Sequence, residues 1–430
     1  MSFVISRRAA RCAAGCAFSC ALVGTAFAQA NIPPSHSATV STVSPTLAHA
    51  VESAWQRATQ AREAEGQTQR AAAERVAISS PWAAPPALEL SYRDDRWQTS
   101  AGRRETEAGL VWPLWLPGQR NARGAAVDAD VELSKAAVQA GRLHFAGLVR
   151  EAAWGIAASR TEADLADAHV RSLQQISDDV RRRVKAGDLA HADALAAQSE
   201  ALAAQSAQLA ARQRLSASQS QWMTLTGIAL APDLTPVPVS AAAAVSAGVS
   251  HFAVETHPDA RVAALTVERA RKRLDVVAAT RRDPPELLLR IRQDAPGRGE
   301  AAQNSIGVGV RIPLGTASRN QPLEAAALSE LDVALTTKQR TEERLAADAA
   351  LAQGAVHTAE QQLEVDRQRS ALLRERASLI DRSFKAGETP LPDLLRALAA
   401  ATQADTSFAR QQAALGLARA RLQQSLGILP

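Results

Sequence analysis

Apolar and polar positions follow a period of two in three short parts of the chain, and a fourth short apolar segment, 286–292, follows Pro284-Pro285. The clearest alternation is Ile306, Val308, Val310 and Ile312, which are separated by Gly307, Gly309 and Arg311. A period of two is typical of a β-strand that has one apolar face and one polar face. We therefore predict four strands, and they cover 88–93, 105–112, 286–292 and 305–312.

Elsewhere the pattern is that of long helices. Residues 119–184 contain no proline and are rich in Ala, Leu, Gln and Arg. A helix of that length would be about 100 Å long, at roughly 1.5 Å per residue. Glycine commonly follows the last residue of a helix, so Gly187 and Gly387 are expected to end long helices that then turn back. We predict two long hairpins, over 119–227 and 323–427, preceded by shorter helices over 47–78 and 259–280.

The second half of the chain repeats the first at an offset of 200 residues. Lys185-Ala186-Gly187 returns as Lys385-Ala386-Gly387, and Gly227-Ile228 returns as Gly427-Ile428. Self-similarity at a long period indicates one structural unit built twice. The predicted organisation is a first repeat over 46–228, a linker over 229–254 and a second repeat over 255–430.

The first 28 residues have the composition of a secretory signal peptide. Three arginines precede an apolar run over 12–25, and Ala26-Phe27-Ala28 is a small-x-small cleavage site. An extended lead-in over 29–45, rich in Ser, Thr and Pro, follows. All three cysteines lie within 1–28, so the processed chain can form neither a disulfide nor a thiolate metal site. Lipidation at Cys20 stays open.

Composition argues against catalysis, cofactors and nucleic acid. The formal charge of +5 includes the three arginines of the leader and falls to +2 without them. The histidines show no metal-ligand spacing, and no nucleophile elbow, phosphate loop or zinc motif is present. We expect no enzymatic activity, no cofactor, no metal site and no nucleic-acid partner.

Four strands are too few to close a barrel by themselves. The smallest closed barrels have about eight strands. A sheet with open edges exposes unpaired backbone groups, which other copies of the chain can satisfy. Three copies would supply 12 strands.

The order of elements, occurring twice, resembles that of the TolC-type outer-membrane efflux factors. The tips Val184-Lys185-Ala186-Gly187-Asp188 and Phe384-Lys385-Ala386-Gly387-Glu388 are similar to those of that family, as are the strand exits Trp112-Pro113-Leu114 and Ile312-Pro313-Leu314. The resemblance implies a mainly α fold with a small β part. It also implies a homotrimer in the lipid of the outer membrane of a Gram-negative bacterium, with a 12-stranded β-barrel continued by an α-helical periplasmic tunnel.

The resemblance further implies a passive channel in a tripartite efflux system. Its partners would be a periplasmic adaptor (membrane fusion) protein and an inner-membrane pump of the RND type. The tip motifs look most like the subset paired with heavy-metal pumps, whereas drugs or proteins stay open as alternative cargo. A different interpretation is a periplasmic coiled-coil adaptor or scaffold that never enters a membrane. The alternating strands favour the channel.

The resemblance also identifies candidate site residues at the hairpin tips. Asp393 matches an acidic residue that rings the tunnel mouth in the family, and Arg396 stands where a second acid is expected. Asp193 holds the matching place in the first repeat. Either aspartate can instead stabilise the first turn of its helix.

Two further groups of residues are candidates. The adaptor-contact candidates at the tips are Lys185, Gly187, Lys385 and Gly387. The candidates for an aromatic belt at the membrane interface are Tyr92, Trp97, Trp112 and Trp115, and core packing is the alternative for them.

Overall fold

The computed structural model describes residues 46–98, 100–232, 234 and 256–430. The predicted signal peptide, the lead-in and most of the linker lie outside the described residues. Seven helices and one four-stranded sheet make up the described part. The helices are α1 (Leu47–Arg57), α2 (Thr59–Ser79), α3 (Gln119–Ala186), α4 (His191–Thr226), α5 (Pro258–Ala279), α6 (Ala317–Lys385) and α7 (Leu391–Ser425). The strands are β1 (Ala87–Asp94), β2 (Arg104–Pro113), β3 (Glu286–Ala295) and β4 (Gln303–Arg311).

The sheet has the order β1-β2-β3-β4, and every neighbouring pair is antiparallel. The two repeats meet at its centre, where Leu110 of β2 lies opposite Leu289 of β3. The first repeat therefore forms one edge of the sheet and the second repeat forms the other.

The helices of the two repeats are also arranged side by side, with one repeat toward each edge of the helical layer. α3 contacts α4, α5 and α7, and α6 contacts α5 and α7. α4 contacts chiefly α3 and α1, so α4 and α6 lie at opposite edges of the helical layer. The contact between α3 and α4 uses small side chains, because Ala197, Ala201 and Ala204 of α4 are buried. Alanine allows two long helices to approach closely.

The helix predicted over 47–78 is divided in two by Ala58, so that part of the prediction was wrong. Ala58 has an extended backbone (φ −73°, ψ 142°). The periodicity of apolar residues also changes there. α1 buries Ala50, Val51 and Ala54 in a cluster with Trp222 of α4, and Trp55 packs on Phe145 of α3, whereas α2 buries only Ala71. The extended residue thus separates a helix that packs on both α3 and α4 from one that packs on α3.

The second long hairpin begins at Ala317, six residues before the predicted start at 323, and so includes Pro322 within α6. Contacts to the preceding loop hold this first turn. The Asn320 side-chain amide donates to the Arg281 carbonyl at 2.8 Å, and Arg319 pairs with Asp283. Pro322 is the sixth residue of α6, beyond the first four N–H groups that lack an intrahelical acceptor, so it removes one helical hydrogen bond, to the Ser318 carbonyl.

Candidate functional site

One face of the sheet is apolar and exposed. Antiparallel pairing places directly opposed residues on the same face, so the register defines rows that run across all four strands. The middle row is Leu88, Leu110, Leu289 and Val308. The row on the loop side of it is Leu90, Ala108, Ile291 and Ile306, and the row on the helix side includes Trp112, Leu287 and Val310.

Most of these side chains are exposed, whereas Ala108, Trp112 and Leu287 are half-buried. The exposure of the row residues ranges up to 73% for Val308 and 76% for Ile306. Single exposed apolar residues are ordinary, but a continuous face built by four strands is larger than soluble proteins tolerate. Such a face requires a lipid or protein surface against it.

The opposite face of the sheet carries charged residues joined in ion pairs. Arg290 of β3 pairs with Glu89 at 3.5 Å and with Glu107 at 3.3 Å, which links three strands. Arg292 continues the network through Glu105 at 3.2 Å. Gly307 and Gly309 leave this face open along β4, because a Cβ at Gly307 would meet nothing within 4 Å. One face is thus suited to hydrocarbon and the other to water.

The four candidate belt aromatics fall into two environments. Tyr92 lies on the apolar face and is 59% exposed, and Trp97 in the loop after β1 is 96% exposed. Trp112 is half-buried and packs on Trp82, with ring centroids 6.1 Å apart. Trp115 is half-buried as well and its indole N–H donates to the Ser80 carbonyl at 3.1 Å.

The first hairpin tip lies between α3 and α4. Gly187 has φ +88°, a conformation that glycine adopts without cost, and its N–H bonds to the Val184 carbonyl at 3.1 Å. Lys185 is exposed beside it. Asp193 is in the first turn of α4, where its carboxylate accepts from the Ala190 N–H at 3.2 Å. That bond is the stabilising arrangement for an acidic residue at a helix N-terminus.

The second tip, between α6 and α7, has the same backbone. Gly387 has φ +82°. Lys385 pairs with Asp381 of its own helix at 2.6 Å. Asp393 pairs with Arg396 at 3.0 Å, and these side chains are 42% and 77% exposed. The charge of the candidate mouth aspartate is therefore balanced within its own chain.

An arginine that sequence reasoning missed joins the two tips. The Arg183 guanidinium donates to the Phe384 carbonyl at 3.3 Å and stacks over the Phe384 ring at 5.0 Å. Beneath it, Val180 and Ala197 of the first repeat pack with Leu391 and Leu394 of the second. The motif Arg-Val-Lys-Ala-Gly gives no sign that its arginine reaches across to the other repeat.

Sequence reasoning also missed two exposed leucine-rich stripes. On α4, Leu195, Leu202 and Leu209 are 57%, 56% and 66% exposed. On α6, the stripe is Val365, Leu372 and Leu379, at 65%, 67% and 51%. Each set repeats every seven residues, or about two helical turns. Both sets are visible in the sequence as large apolar residues that repeat every seven positions, on a different face of the helix from the buried alanines.

His257 and Glu364 are two of the titratable side chains outside the sheet that have a shifted pKa. Burial lowers the pKa of His257, although the nearby Asp259 acts in the opposite direction. The His257 ring accepts from the Asp259 N–H at 3.1 Å and so caps the start of α5. On α6, hydrogen bonds from Arg367 and Gln368 lower the pKa of Glu364 to about 2.

Among the described residues, no three His, Cys, Asp or Glu side chains lie close enough together to hold a metal ion. In that same part of the chain, every helix falls short of the length and hydropathy needed to cross a membrane.

The fold matches those of solved outer-membrane channels. The chain aligns with CusC, whose structures concern folding and transmembrane channel formation, at a TM-score of 0.74 and 15% identity over 90% of this chain and 93% of that one. The outer membrane protein VceC from Vibrio cholerae gives 0.69 and 14%, over 89% and 96% of the two chains. The open MtrE outer membrane channel from Neisseria gonorrhoeae gives 0.68 and 16%, over 89% of each.

No family model matches the sequence, and no curated protein matches it either. At these identities the likeness concerns the fold. The predicted fold class is confirmed: the chain is mainly helical with a small antiparallel sheet, in the arrangement of the TolC-type channels. These structural neighbours are channel proteins rather than enzymes.

Proposed function

We propose that the chain is the outer-membrane channel of a tripartite efflux system. It is exported, processed after Ala28 and assembled as a homotrimer whose 12 strands form a barrel in the outer membrane. The long hairpins form a tunnel in the periplasm. The observation that carries this proposal is the two-faced sheet, which is apolar on one side, ion-paired on the other and open at both edges.

The open edges favour a closed ring of copies over a symmetric pair. β1 and β4 each have one partner among the described strands, and they belong to different repeats. Pairing β4 of one copy with β1 of the next is a heterologous contact, and such contacts form rings when the rotation closes. Three copies reach 12 strands, above the minimum of about eight for a closed barrel.

The helices support the same arrangement. With about 100° between successive residues, Leu202 lies roughly 100–160° around α4 from the alanines that contact α3. Leu372 lies roughly 140–160° around α6 from Ser370 and Ala377, which face the interior of the layer. The two stripes therefore lie at opposite edges of the helical layer. Both repeat every seven residues, so the stripe on α6 of one copy can pack against the stripe on α4 of the next. A head-to-tail ring brings α6 of one copy against α4 of the next.

The remaining parts of the proposal rest on the tips. Lys185, Gly187, Lys385 and Gly387 are exposed and surround the turns, which suits contact with a periplasmic adaptor and, through it, with an RND-type pump. Asp393, Arg396 and Asp193 would line the periplasmic aperture. Heavy-metal cations are the proposed cargo because the tip motifs resemble the metal-pump subset. CusC is among the structural neighbours.

A periplasmic adaptor or scaffold is the alternative function. Its helical hairpins would need no sheet with an exposed apolar face. The two functions predict different locations and masses.

Fractionation of cells that express the full chain tests the proposal. We expect the protein in the outer-membrane fraction, lacking residues 1–28, and crosslinked to the mass of three copies. The purified trimer should also conduct ions across a planar lipid bilayer. A soluble periplasmic monomer would contradict the channel function and favour the scaffold.

A further inference from the structure

The loop end of the sheet, opposite the helices, carries three exposed arginines. They are Arg103 just before β2, Arg104 at the first position of β2, and Arg298 in the loop between β3 and β4. Most arginines of the sheet lie in the ion-paired network of the charged face. Among the described residues, these three have neither an ion pair nor a side-chain hydrogen bond.

The backbone brings the two loops together. The Arg298 N–H donates to the Ala101 carbonyl at 3.1 Å. The Arg298 side chain crosses Gly102, since a Cβ built there would lie 2.6 Å from the Arg298 Cγ. Gly102 has φ +87° and directly precedes Arg103. The side chain of Arg298 therefore begins beside Arg103 and Arg104.

Nearby acids leave part of this positive charge uncompensated. Asp95 accepts from the Ala101 and Gly102 N–H groups at 2.7 and 3.2 Å. Asp94 pairs with Arg96 at 3.5 Å, and Asp294 pairs with Arg292 at 3.3 Å. Asp95 keeps its negative charge while it accepts from these neutral backbone N–H groups, so Asp95 and exposed Glu300 oppose the three guanidinium groups and the cluster keeps a net positive charge.

The register places Arg104 directly beyond the apolar rows. Tyr92 and Thr106 share a row with Gln293 and Asn304, which ends the apolar band. Arg104 is two residues from Thr106 on the same face, so its row lies about 7 Å further along the strand. The sequence of rows is apolar, then aromatic and polar, then basic. In a bilayer the corresponding order is hydrocarbon, interface and headgroup phosphates.

We propose that Arg103, Arg104 and Arg298 bind the phosphates of a phosphorylated glycolipid in the outer leaflet. The guanidinium group matches phosphate geometry, and its planar fork donates two parallel hydrogen bonds. Trp97, 96% exposed in the neighbouring loop, adds an amphipathic ring at the same level. The inference rests on the proposed function, because it requires the sheet to be inserted in a membrane.

The test compares lipid binding by full-length protein in neutral detergent. The probes are diphosphorylated lipid A and the same lipid with its phosphates removed. We expect the wild type to prefer the phosphorylated form. The variant Arg103→Gln/Arg104→Gln/Arg298→Gln should bind that form more weakly, with a Kd about tenfold higher or more. The matched control is Arg344→Gln/Arg369→Gln/Arg376→Gln, which removes the same charge from exposed positions on α6 and should bind like the wild type.

Flotation with phosphatidylcholine vesicles separates this inference from the proposed function. If all three proteins float but the sheet variant keeps its preference for phosphorylated lipid, the arginine site is refuted and the channel stands. Equal loss in both variants would reduce the effect to net charge and would also refute the site. A wild type that enters no vesicle would overturn the proposed function itself.

Discussion

Replacing Val308 by arginine tests whether the apolar face of the sheet lies in hydrocarbon. Val308 is in the third of five outward rows, between Ile312 near the helices and Asn304 near the loops. Rows lie about 7 Å apart along a strand, or about 5 Å along the membrane normal for strands tilted by roughly 40°. Val308 is then about 10 Å from either end of the band, which is close to the midplane.

The expected cost follows from that depth. Arginine on the lipid face costs about 2–4 kcal/mol at the midplane and about 0–1 kcal/mol near the interface. Because each copy contributes one substitution, a trimer would lose roughly 6–12 kcal/mol. Ile312→Arg, two rows nearer the interface, should cost no more than about 1 kcal/mol per copy.

The assay is reversible urea unfolding of the protein in lipid vesicles, followed by tryptophan fluorescence. Gly309→Arg is the matched control, since it makes the same charge change one residue away on the other face. A Cβ at Gly309 would have only the Leu288 Cβ within 4 Å, at 4.0 Å, so the new side chain can extend freely. We expect Gly309→Arg to change the free energy of unfolding by much less than Val308→Arg.

Equal costs at 308 and 309 would refute this reasoning, because a sheet in water has no face that rejects arginine. Equal costs at 308 and 312 would refute the assigned depth while leaving the face correct.

Three further predictions concern the helices. Leu202→Cys together with Leu372→Cys should give disulfide-linked oligomers under oxidation, since the proposed ring brings α4 against α6 of the next copy. Either single variant should give no disulfide-linked trimer. A double variant that stays monomeric would contradict the ring. In single-channel recordings, Asp393→Asn should weaken block by divalent cations, whereas Arg396→Gln, which removes its 3.0 Å partner, should strengthen it; unchanged recordings would leave Asp393 as a helix-terminal acid. Because burial lowers the pKa of His257, the neutral ring stabilises the fold above the unfolded value of about 6.5. That stabilisation should be lost as the pH falls from about 6.5 through the lower folded pKa, so the Tm of the wild type should drop more than that of His257→Asn, and parallel Tm curves would contradict this.

The strands and the hairpin turns are the parts that the sequence predicts well. Alternation at 306–312 follows from the physical requirement that one face meets an apolar phase, so it is visible in the residues themselves. Positive φ at Gly187 and Gly387 follows from a local requirement too. Both signals are local, and the repeat doubles each of them.

The parts that the sequence missed depend on contacts between distant residues. The break at Ala58 follows α1, whose Ala50, Val51 and Ala54 enter a cluster with Trp222, more than 160 residues later in the chain. Arg183 meets Phe384 across the two repeats, and nothing in either neighbourhood announces that contact. The roles of the tip residues remain predictions, because they concern surfaces that only neighbouring molecules would cover.

Single-particle electron microscopy of the detergent-purified full chain is the most direct test of the central claim. The account predicts a threefold particle in which the detergent belt surrounds a 12-stranded barrel, with β4 of each copy paired to β1 of the next and α6 against α4. A monomer, or a ring whose detergent belt lies away from the row of Leu88, Leu110, Leu289 and Val308, would contradict it.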